Sequence, residues 1–297
     1  PHFFSGPRVL RLPNSRMEFL VSSRRTAASL SCDRRRFIEA DLPVELTLED
    51  HFSGRDPCLQ AAIAYEPRAR ERTAVTESVA ERLRGRYPML LHCLSMNLGS
   101  ADPLDRDYFE RVRAFADRFE VSGVSDHLSW RSIGGAWTLS LLPLPRTREA
   151  LEHVVARVEG AQSVLGRRIA LENVSQYLAT PEEMPLVEMF NELYQRCGAP
   201  IHLDLNNLLV NQRWLGEKPE QFLDALTAEV AWAHVAGHQN VEMPIDDHSA
   251  MPSAQCMRLL SYLCDDTAVI LEWDRDRPAF QSLMPALERP EAMRDAL

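Results

Sequence analysis

Lysine is almost missing from this sequence. The chain of 297 residues has 33 lysines and arginines, and only Lys218 is a lysine, which leaves 32 arginines. A covalent mechanism that forms a Schiff base therefore has Lys218 as its single candidate. The chain also has no Gly-Lys-Ser/Thr phosphate loop, which excludes a nucleotide hydrolase of that type.

Closely spaced cysteines and long apolar segments are also missing. The six cysteines are scattered and the closest two are eight residues apart, so there is no Cys-x-x-Cys zinc or redox motif. Scattered cysteines in a chain of this size are typical of a reducing cytosol. No apolar run reaches the roughly 18 residues of a membrane span, and Arg24 and Arg25 interrupt the stretch that a signal peptide would need. We predict a cytoplasmic protein without a membrane segment.

Basic residues are outnumbered, with 43 Asp and Glu against 33 Lys and Arg and a formal net charge of −10. A protein that neutralises many phosphates needs a basic face, so this balance argues against a nucleic-acid partner. Residues 1–40 are the exception, because eight arginines and three acids give +5 there and leave −15 for the remainder. We interpret 1–40 as a divergent N-terminal arm, either solvated or in contact with an acidic partner, and 41–297 as one domain.

Short apolar runs recur along the chain, each followed by a polar cluster and then an amphipathic helix. Such runs, bounded by turn residues, are typical of buried strands in a parallel sheet. Their repetition predicts an α/β fold, a TIM-type (β/α)8 barrel, with its first strand near residues 17–22. A doubly wound open sheet is the alternative, but the Gly-rich first turn typical of that fold is missing. The other predicted strands are residues 44–48, 89–91, 119–124, 169–171, 201–203, 230–233 and 268–271.

Capping residues predict where the helices begin and end. Thr180 with Pro181 and two following glutamates has the pattern of a capping box, and Gly198 is the expected end of that helix. Pro103 opens another predicted helix, and Thr147 caps a third. Two further helices are expected near residues 219–229 and 253–264.

Metal-ligand types of side chain follow the predicted strands. In a βα barrel these positions all lie at the C-terminal mouth. Buried carboxylates are unfavourable unless they are paired or bind a cation, so packing alone does not explain the set, and we predict a polynuclear metal site. The clusters are Glu49-Asp50-His51, His92, Asp126-His127, Glu172-Asn173, Asp204 with Asn206 and Asn207, His234 with His238, Glu272 and, in a loop, Asp246-Asp247-His248.

The ligand types restrict the metal without choosing it. Imidazole and carboxylate ligands without thiolate suit zinc, manganese or non-haem iron, and the histidines are too many for magnesium or calcium. Zinc would favour hydrolysis by bound hydroxide, manganese sugar isomerisation, and iron dioxygen activation. We interpret His51 and His202 as packed histidines, because His202 lies a layer deeper than Asp204 on the same face of its strand.

Several clusters lie in longer strings. These are LHCLSMNLGS at 91–100, VSDHLSW at 124–130, LENVS at 171–175, LDLNN at 203–207, HVAGH at 234–238, DDH at 246–248 and LEWD at 271–274. In order and spacing they resemble the multinuclear non-haem iron-dependent oxidative enzymes, long known only as an uncharacterised bacterial domain. The resemblance covers about residues 44–280.

The resemblance implies a TIM-type barrel that binds two or three irons at its mouth and uses dioxygen as co-substrate. Members of the family modify a cysteine, or another residue, of a ribosomally synthesised precursor peptide, usually with a partner protein that recognises the peptide's leader. We favour cysteine β-carbon excision, as in thiaglutamate-type pathways, over oxazolone–thioamide formation, as in methanobactin, or another heterocycle. The implied iron ligands are His92, Asp126, His127, Glu172, Asp204, His234, Asp246, His248 and Glu272.

Some matching positions have other implied roles. The resemblance implies that Glu172 is a bridging carboxylate and that Asn173, Asn207 and Glu49 support the metals or position the substrate. His238 matches a position that is not always histidine in the family. The opening departs from the family string Val-Glu-Val-His-x-Glu-Asn-Tyr, because residues 44–52 read VELTLEDHF, and residues 1–40 do not match the usual first strand.

Two other classes of protein also fit the strand-end residues. One is a zinc or manganese barrel, either a hydrolase similar to abasic-site endonucleases or a sugar isomerase, although the net charge of −10 argues against a DNA substrate. The other is a non-catalytic barrel that binds a peptide or a metal. Metal content and peptide-dependent oxygen uptake distinguish the three classes.

Overall fold

The computed structural model describes residues 80–274, except residues 86, 240, 241 and 243, and four short strands between residues 3 and 26. The chain divides into two compact units, Pro1–Pro67 and Arg68–Leu297. The predicted boundary between residues 40 and 41, the predicted strand at 44–48, Glu49 and His51 lie outside the described residues.

In the first unit the described strands form two antiparallel pairs. Strand β1 (Phe3–Phe4) pairs with β4 (Arg25–Thr26), and β2 (Pro7–Arg11) pairs with β3 (Glu18–Ser22). The strand predicted near residues 17–22 is present as β3, but its partner is β2 rather than a neighbour in a parallel sheet. Proline, asparagine and serine separate β2 from β3 in the sequence, and these residue types favour a turn between antiparallel strands.

Six strands of the second unit form one parallel sheet, in the spatial order β5-β6-β9-β10-β11-β12, which is also their order along the chain. This order, with helices between the strands, belongs to the predicted TIM-type α/β class. The run predicted at 119–124 is displaced, because Phe119 ends a helix and the strand begins at Gly123. The strands of this unit are β5 (Leu90–His92), β6 (Gly123–His127), β7 (Ser129–Ile133), β8 (Ala136–Pro143), β9 (Ile169–Glu172), β10 (Ile201–Asp204), β11 (Val230–Val235) and β12 (Ala268–Leu271).

Side chains cap several helices of the second unit. Asp105, Thr147, Asp204 and Ser253 each accept a hydrogen bond from a backbone N–H three residues later, which satisfies a donor of the first turn. Thr147 is therefore a cap as predicted, whereas the helix expected at Pro103 begins after Asp105. The helices are α1 (Arg106–Arg118), α2 (Arg148–Leu165), α3 (Leu186–Cys197), α4 (Leu205–Leu215), α5 (Pro219–Ala225) and α6 (Ala254–Leu259).

Helix α3 ends at Gly198 as predicted, but it does not begin at Thr180. Pro185 occupies the N-cap position instead. Proline has no backbone N–H and disfavours a helical conformation at the preceding residue, so a helix starting at Pro181 would be interrupted there. The segment before Pro185 pairs with another part of the chain, where the Arg146 N–H donates to the Pro181 carbonyl oxygen at 3.0 Å.

Strands β7 and β8 form an antiparallel hairpin inserted between β6 and α2. Its turn contains Gly134 and Gly135 at φ 59° and 80°, a conformation that glycine adopts without strain. The Asp102 carboxylate accepts hydrogen bonds from both glycine N–H groups, at 2.6 and 3.1 Å. None of the strands predicted from the sequence corresponds to this hairpin.

The apolar faces of the helices form the core against the sheet. Leu151 and Val154 of α2 and Leu193 of α3 are fully buried, and Phe109 of α1 is 1% exposed. Within the described residues, no helix combines the length and apolar character needed to cross a membrane.

Gly237 lies between β11 and the loop that carries Asp246 and His248. Its carbonyl oxygen accepts a hydrogen bond from the Ala250 N–H at 3.1 Å. A Cβ atom at this position would lie 2.1 Å from the carbonyl oxygen of Met251, which is backbone and has no rotamer with which to move away. The site loop therefore depends on glycine here.

We expect Gly237→Ala to lower the free energy of unfolding by about 3 kcal/mol or more, because the overpacked contact is between backbone atoms. Urea denaturation with an unchanged m-value measures this. The control is Gly160→Ala in α2, where the nearest atom is a flexible Leu104 side-chain carbon at 3.3 Å and alanine favours the helix. Equal destabilisation by the two changes would contradict the argument.

Candidate metal centre

Strand ends bring the predicted ligands to one edge of the parallel sheet. His92 is the last residue of β5, His127 of β6, Glu172 of β9 and Asp204 of β10. In the register of the sheet Asp204 is opposite His234 on β11. Because parallel strands end at the same edge, side chains from five strands converge there.

Glu172 is the centre of the arrangement. One carboxylate oxygen, Oε2, lies 3.0 Å from Nε2 of His92 and 3.1 Å from Nε2 of His127. The other, Oε1, lies 3.4 Å from Nδ1 of His234. A carboxylate with imidazoles at both oxygens has the geometry of a bridge between two metal positions.

A second cluster shares Glu172 with Asp204, His234 and Glu272. Nδ1 of His234 lies 2.8 Å from Oε2 of Glu272 and 4.0 Å from Oδ2 of Asp204. One ligand atom from each of these four residues lies within 4.8 Å of the others, a separation compatible with one metal ion.

A third cluster surrounds His248. Its Nε2 atom lies 2.6 Å from Oδ1 of Asp246, and its Nδ1 atom lies 3.0 Å from Oε2 of Glu272 and 3.6 Å from Oδ2 of Asp274. His248 has φ 39°, which is uncommon for a residue with a Cβ atom and indicates that the ring is held in place by its surroundings. Glu272 therefore connects the second and third clusters.

The remaining predicted ligand, Asp126, lies behind His127. Its Oδ2 accepts the Met96 N–H at 2.6 Å, and its Oδ1 accepts the His127 N–H at 2.6 Å and lies 3.4 Å from Nδ1 of His127. Both oxygens therefore already have partners, and the contact fixes the His127 ring. Its predicted role as an iron ligand stays a prediction.

Asparagines hold the backbone of the site. The Asn173 side chain donates to the Asp204 carbonyl oxygen and accepts from the Asp204 N–H, both at 2.8 Å. Asn207 donates to the Asn173 carbonyl oxygen at 3.0 Å and also lines the cavity above the clusters. His238 belongs to none of the three clusters, and its Nδ1 lies 2.7 Å from Oδ1 of Asn206.

His202 was interpreted from sequence as a packed histidine, and it is fully buried. However, neither ring nitrogen has a hydrogen-bond partner among the described residues, and Nε2 lies 3.8 Å from Oε1 of Glu172. It forms a group of potential metal ligands with His92 and Glu172. The sequence signal that could have identified it is its spacing, because residues two apart on a strand share a face, as His202 and Asp204 do.

Opposite charges set the pKa values of the clusters. Burial lowers the pKa of His234, but hydrogen bonds to Glu172 and Glu272 outweigh burial and raise it to about 10. In the same way, hydrogen bonds to Asp246 and Glu272 outweigh burial and raise the pKa of His248 to about 12. Burial raises the pKa of Asp204 to about 8. These groups are close enough to compete for protons.

The donor set fits a transition metal. Among the described residues, buried atoms without a hydrogen-bond partner include Oδ2 of Asp204 and both ring nitrogens of His202. Unpartnered buried polar atoms are unfavourable, and a cation would satisfy them. The groups combine imidazole and carboxylate without thiolate, which suits zinc, manganese or iron.

An open cavity of about 650 Å³ lies over the clusters. Its floor includes His92, His127, Glu172 and Glu272. Its walls come from the β7–β8 hairpin and the loop before His248, through Arg131, Ser140, Leu141, Ile245 and Asp246. The β7–β8 hairpin, which the predicted strands do not include, is thus a wall of the site.

Comparison with known proteins identifies the family. Residues 64–295 match the sequence model of the RiPP precursor modification enzymes MbnB/TglH/ChrH. The chain belongs to this family. The family match begins at residue 64, whereas the resemblance was expected to begin about 20 residues earlier, at residue 44. The divergent string at residues 44–52 therefore lies outside the matched region.

Relatives agree with this assignment, and a solved structure agrees with the fold. This family member is 37% identical over 218 residues to a UPF0276 protein of Anaeromyxobacter sp. strain Fw109-5. The alignment covers 71% of this chain and 77% of the relative. The chain is 39% identical over 212 residues to a UPF0276 protein of Neisseria meningitidis serogroup B, covering 68% and 75%. A D-tagatose 3-epimerase-like protein has a similar fold, with TM-score 0.50, 14% identity and coverage of 74% and 82%. That likeness supports the TIM-type fold alone.

Proposed function

We propose that this protein is an iron- and dioxygen-dependent enzyme that modifies a cysteine in a ribosomally synthesised precursor peptide. The observation that carries the proposal is the bridging position of Glu172 between His92 and His127 on one side and His234 on the other. This arrangement gives places for more than one metal ion, and membership of a family of precursor-modifying enzymes points to a peptide as substrate.

The protein's own groups would hold and orient the metals. His92 has its Nδ1 2.8 Å from the Ser125 hydroxyl, which leaves Nε2 for a metal. Asp126 fixes His127, and the Tyr177 hydroxyl accepts the Asp246 N–H at 3.0 Å. Bound iron would supply dioxygen activation and a place for a thiolate.

The cavity suits a peptide side chain. Leu94 and Ile245 line it and are 54% and 63% exposed, so apolar surface surrounds an entrance above a polar, ligand-rich floor. A cysteine inserted from a peptide would reach the metals while Leu94, Leu141 and Ile245 limit the access of water. We propose cysteine β-carbon excision as the outcome, and a separate protein that recognises the leader as a partner.

Co-expression with a candidate precursor peptide that contains cysteine tests the proposal. We expect mass spectrometry to show loss of one carbon from a cysteine-containing fragment, iron in the purified enzyme, and oxygen uptake only when the peptide is present. A four-electron oxidation without carbon loss would instead indicate heterocycle formation. His127→Ala is the inactive control. A protein that holds only zinc or manganese, consumes no oxygen and leaves the peptide unchanged would exclude the proposed function.

A further inference from the structure

His202 is a buried imidazole inside the proposed metal site, and the inference drawn from it rests on that site. The residue is on β10, two positions before Asp204, so the two side chains share one face of the strand. In the sheet it is opposite Glu172 of β9. The backbone therefore places the ring directly beside the bridging carboxylate.

The surroundings of His202 contain other imidazoles instead of a hydrogen-bond partner. Its ring centroid lies 4.0 Å from that of His234, 5.0 Å from that of His92 and 5.4 Å from that of Trp232. Its side chain is 0% exposed, and neither ring nitrogen has a hydrogen-bond partner among the described residues. By contrast, His153 lies outside the site and has Nε2 2.7 Å from the Ser100 carbonyl oxygen.

An imidazole with two unpartnered buried nitrogens is unfavourable, so a histidine at this position implies a partner beyond the described protein groups. A metal ion provides one. Two ligands that each bind an ion at about 2.1 Å are at most about 4.2 Å apart. The 3.8 Å between Nε2 of His202 and Oε1 of Glu172 is within that limit.

We propose that His202 is a further ligand of the metal ion held by His92 and Glu172. Nε2 of His92 lies 3.0 Å from Glu172, and one ligand atom of each of the three residues lies within 4.8 Å of the others. This position then has two imidazoles, of His92 and His202, and one carboxylate. Such a nitrogen-rich set favours zinc or iron over manganese, which prefers oxygen ligands.

Cobalt(II) is the probe for the test, because it is paramagnetic and occupies sites for zinc and iron. Metal-free protein is titrated with cobalt(II) against a chelator. We expect His202→Leu and His202→Gln to weaken binding of one ion by more than about 100-fold, beyond the 10–100-fold typical of groups that only support a ligand. His153→Gln is the matched control and should bind cobalt as the wild type does.

Proton NMR of the cobalt-loaded protein supplies a second readout. The wild type should show a strongly shifted imidazole N–H signal that both His202 variants lack. Unchanged affinity would overturn the proposal, and so would weaker binding with all shifted signals retained, because His202 would then only position Glu172. If neither variant folds, isotope labelling of wild-type histidines decides whether His202 nitrogens are shifted by cobalt. None of these measurements depends on activity, so failure of the peptide assay leaves the test intact.

Discussion

Glu172→Gln should abolish most metal binding while leaving the fold intact. Glutamine keeps the shape of the side chain but removes the charge that lies between His92, His127 and His234. Burial raises the pKa of Glu172, but hydrogen bonds from His234 and His92 outweigh it and lower the pKa well below its usual value, so the carboxylate is ionised at neutral pH. If Glu172 bridges two metal positions as proposed, both should lose affinity together.

The expected loss of affinity is more than about 100-fold at each position, because groups that only support a ligand already account for 10–100-fold. Metal content after dialysis and chelator competition measure it. Thermal unfolding adds a check, since metal at about 100 times its Kd stabilises the native wild type by about 2.7 kcal/mol and should not stabilise the variant. The control is Glu110→Gln on α1, where the carboxylate is largely exposed and pairs with Arg106. A Glu172→Gln protein with wild-type metal content would contradict the bridging assignment.

The strand ends were predictable because two local rules agree on them. A short apolar run predicts a buried strand, and a polar residue directly after it predicts the edge where parallel strands end together. His92, Glu172 and Asp204 follow such runs, and the structure places them within one site. His248 was noted with its neighbours Asp246 and Asp247 as a loop cluster, because no strand precedes it directly, and the resemblance then implied its role as a ligand.

The parts of the site and fold that the sequence predictions lack have different causes. The spacing of His202 puts it on the face of Asp204, but only its lack of a hydrogen-bond partner among the described residues separates it from a packed histidine, and that depends on residues distant in the chain. The start of α3 is different, because Pro185 was visible in the sequence and a rule about proline outweighs the capping pattern at Thr180. The β7–β8 hairpin also had a local signal, the Gly134-Gly135 turn between two extended segments.

Metal affinity should rise steeply between pH 6 and pH 8. A metal must displace the proton of any imidazole it binds, and the pKa of His234 is raised to about 10 and that of His248 to about 12, so both are protonated in this range without metal. Asp204, with its pKa raised to about 8, also carries a proton. A position that uses His234 and Asp204 therefore releases about two protons, and its affinity should rise about 100-fold per pH unit until Asp204 ionises.

The same pKa values have the opposite effect on the metal-free protein. A histidine whose pKa is raised on folding stabilises the native state. This stabilisation is complete at pH values below the ordinary histidine pKa of about 6.5, and it is lost as the pH rises through the raised pKa. The metal-free protein should therefore lose stability from about pH 6.5 towards pH 10 while the metal-loaded protein does not, so the stabilisation by metal widens with pH. Calorimetry in buffers of different ionisation enthalpy counts the released protons, and urea denaturation with and without metal follows stability. If the metal affinity does not change between pH 6 and pH 8, the metal does not displace protons from His234 and Asp204, and the prediction is wrong.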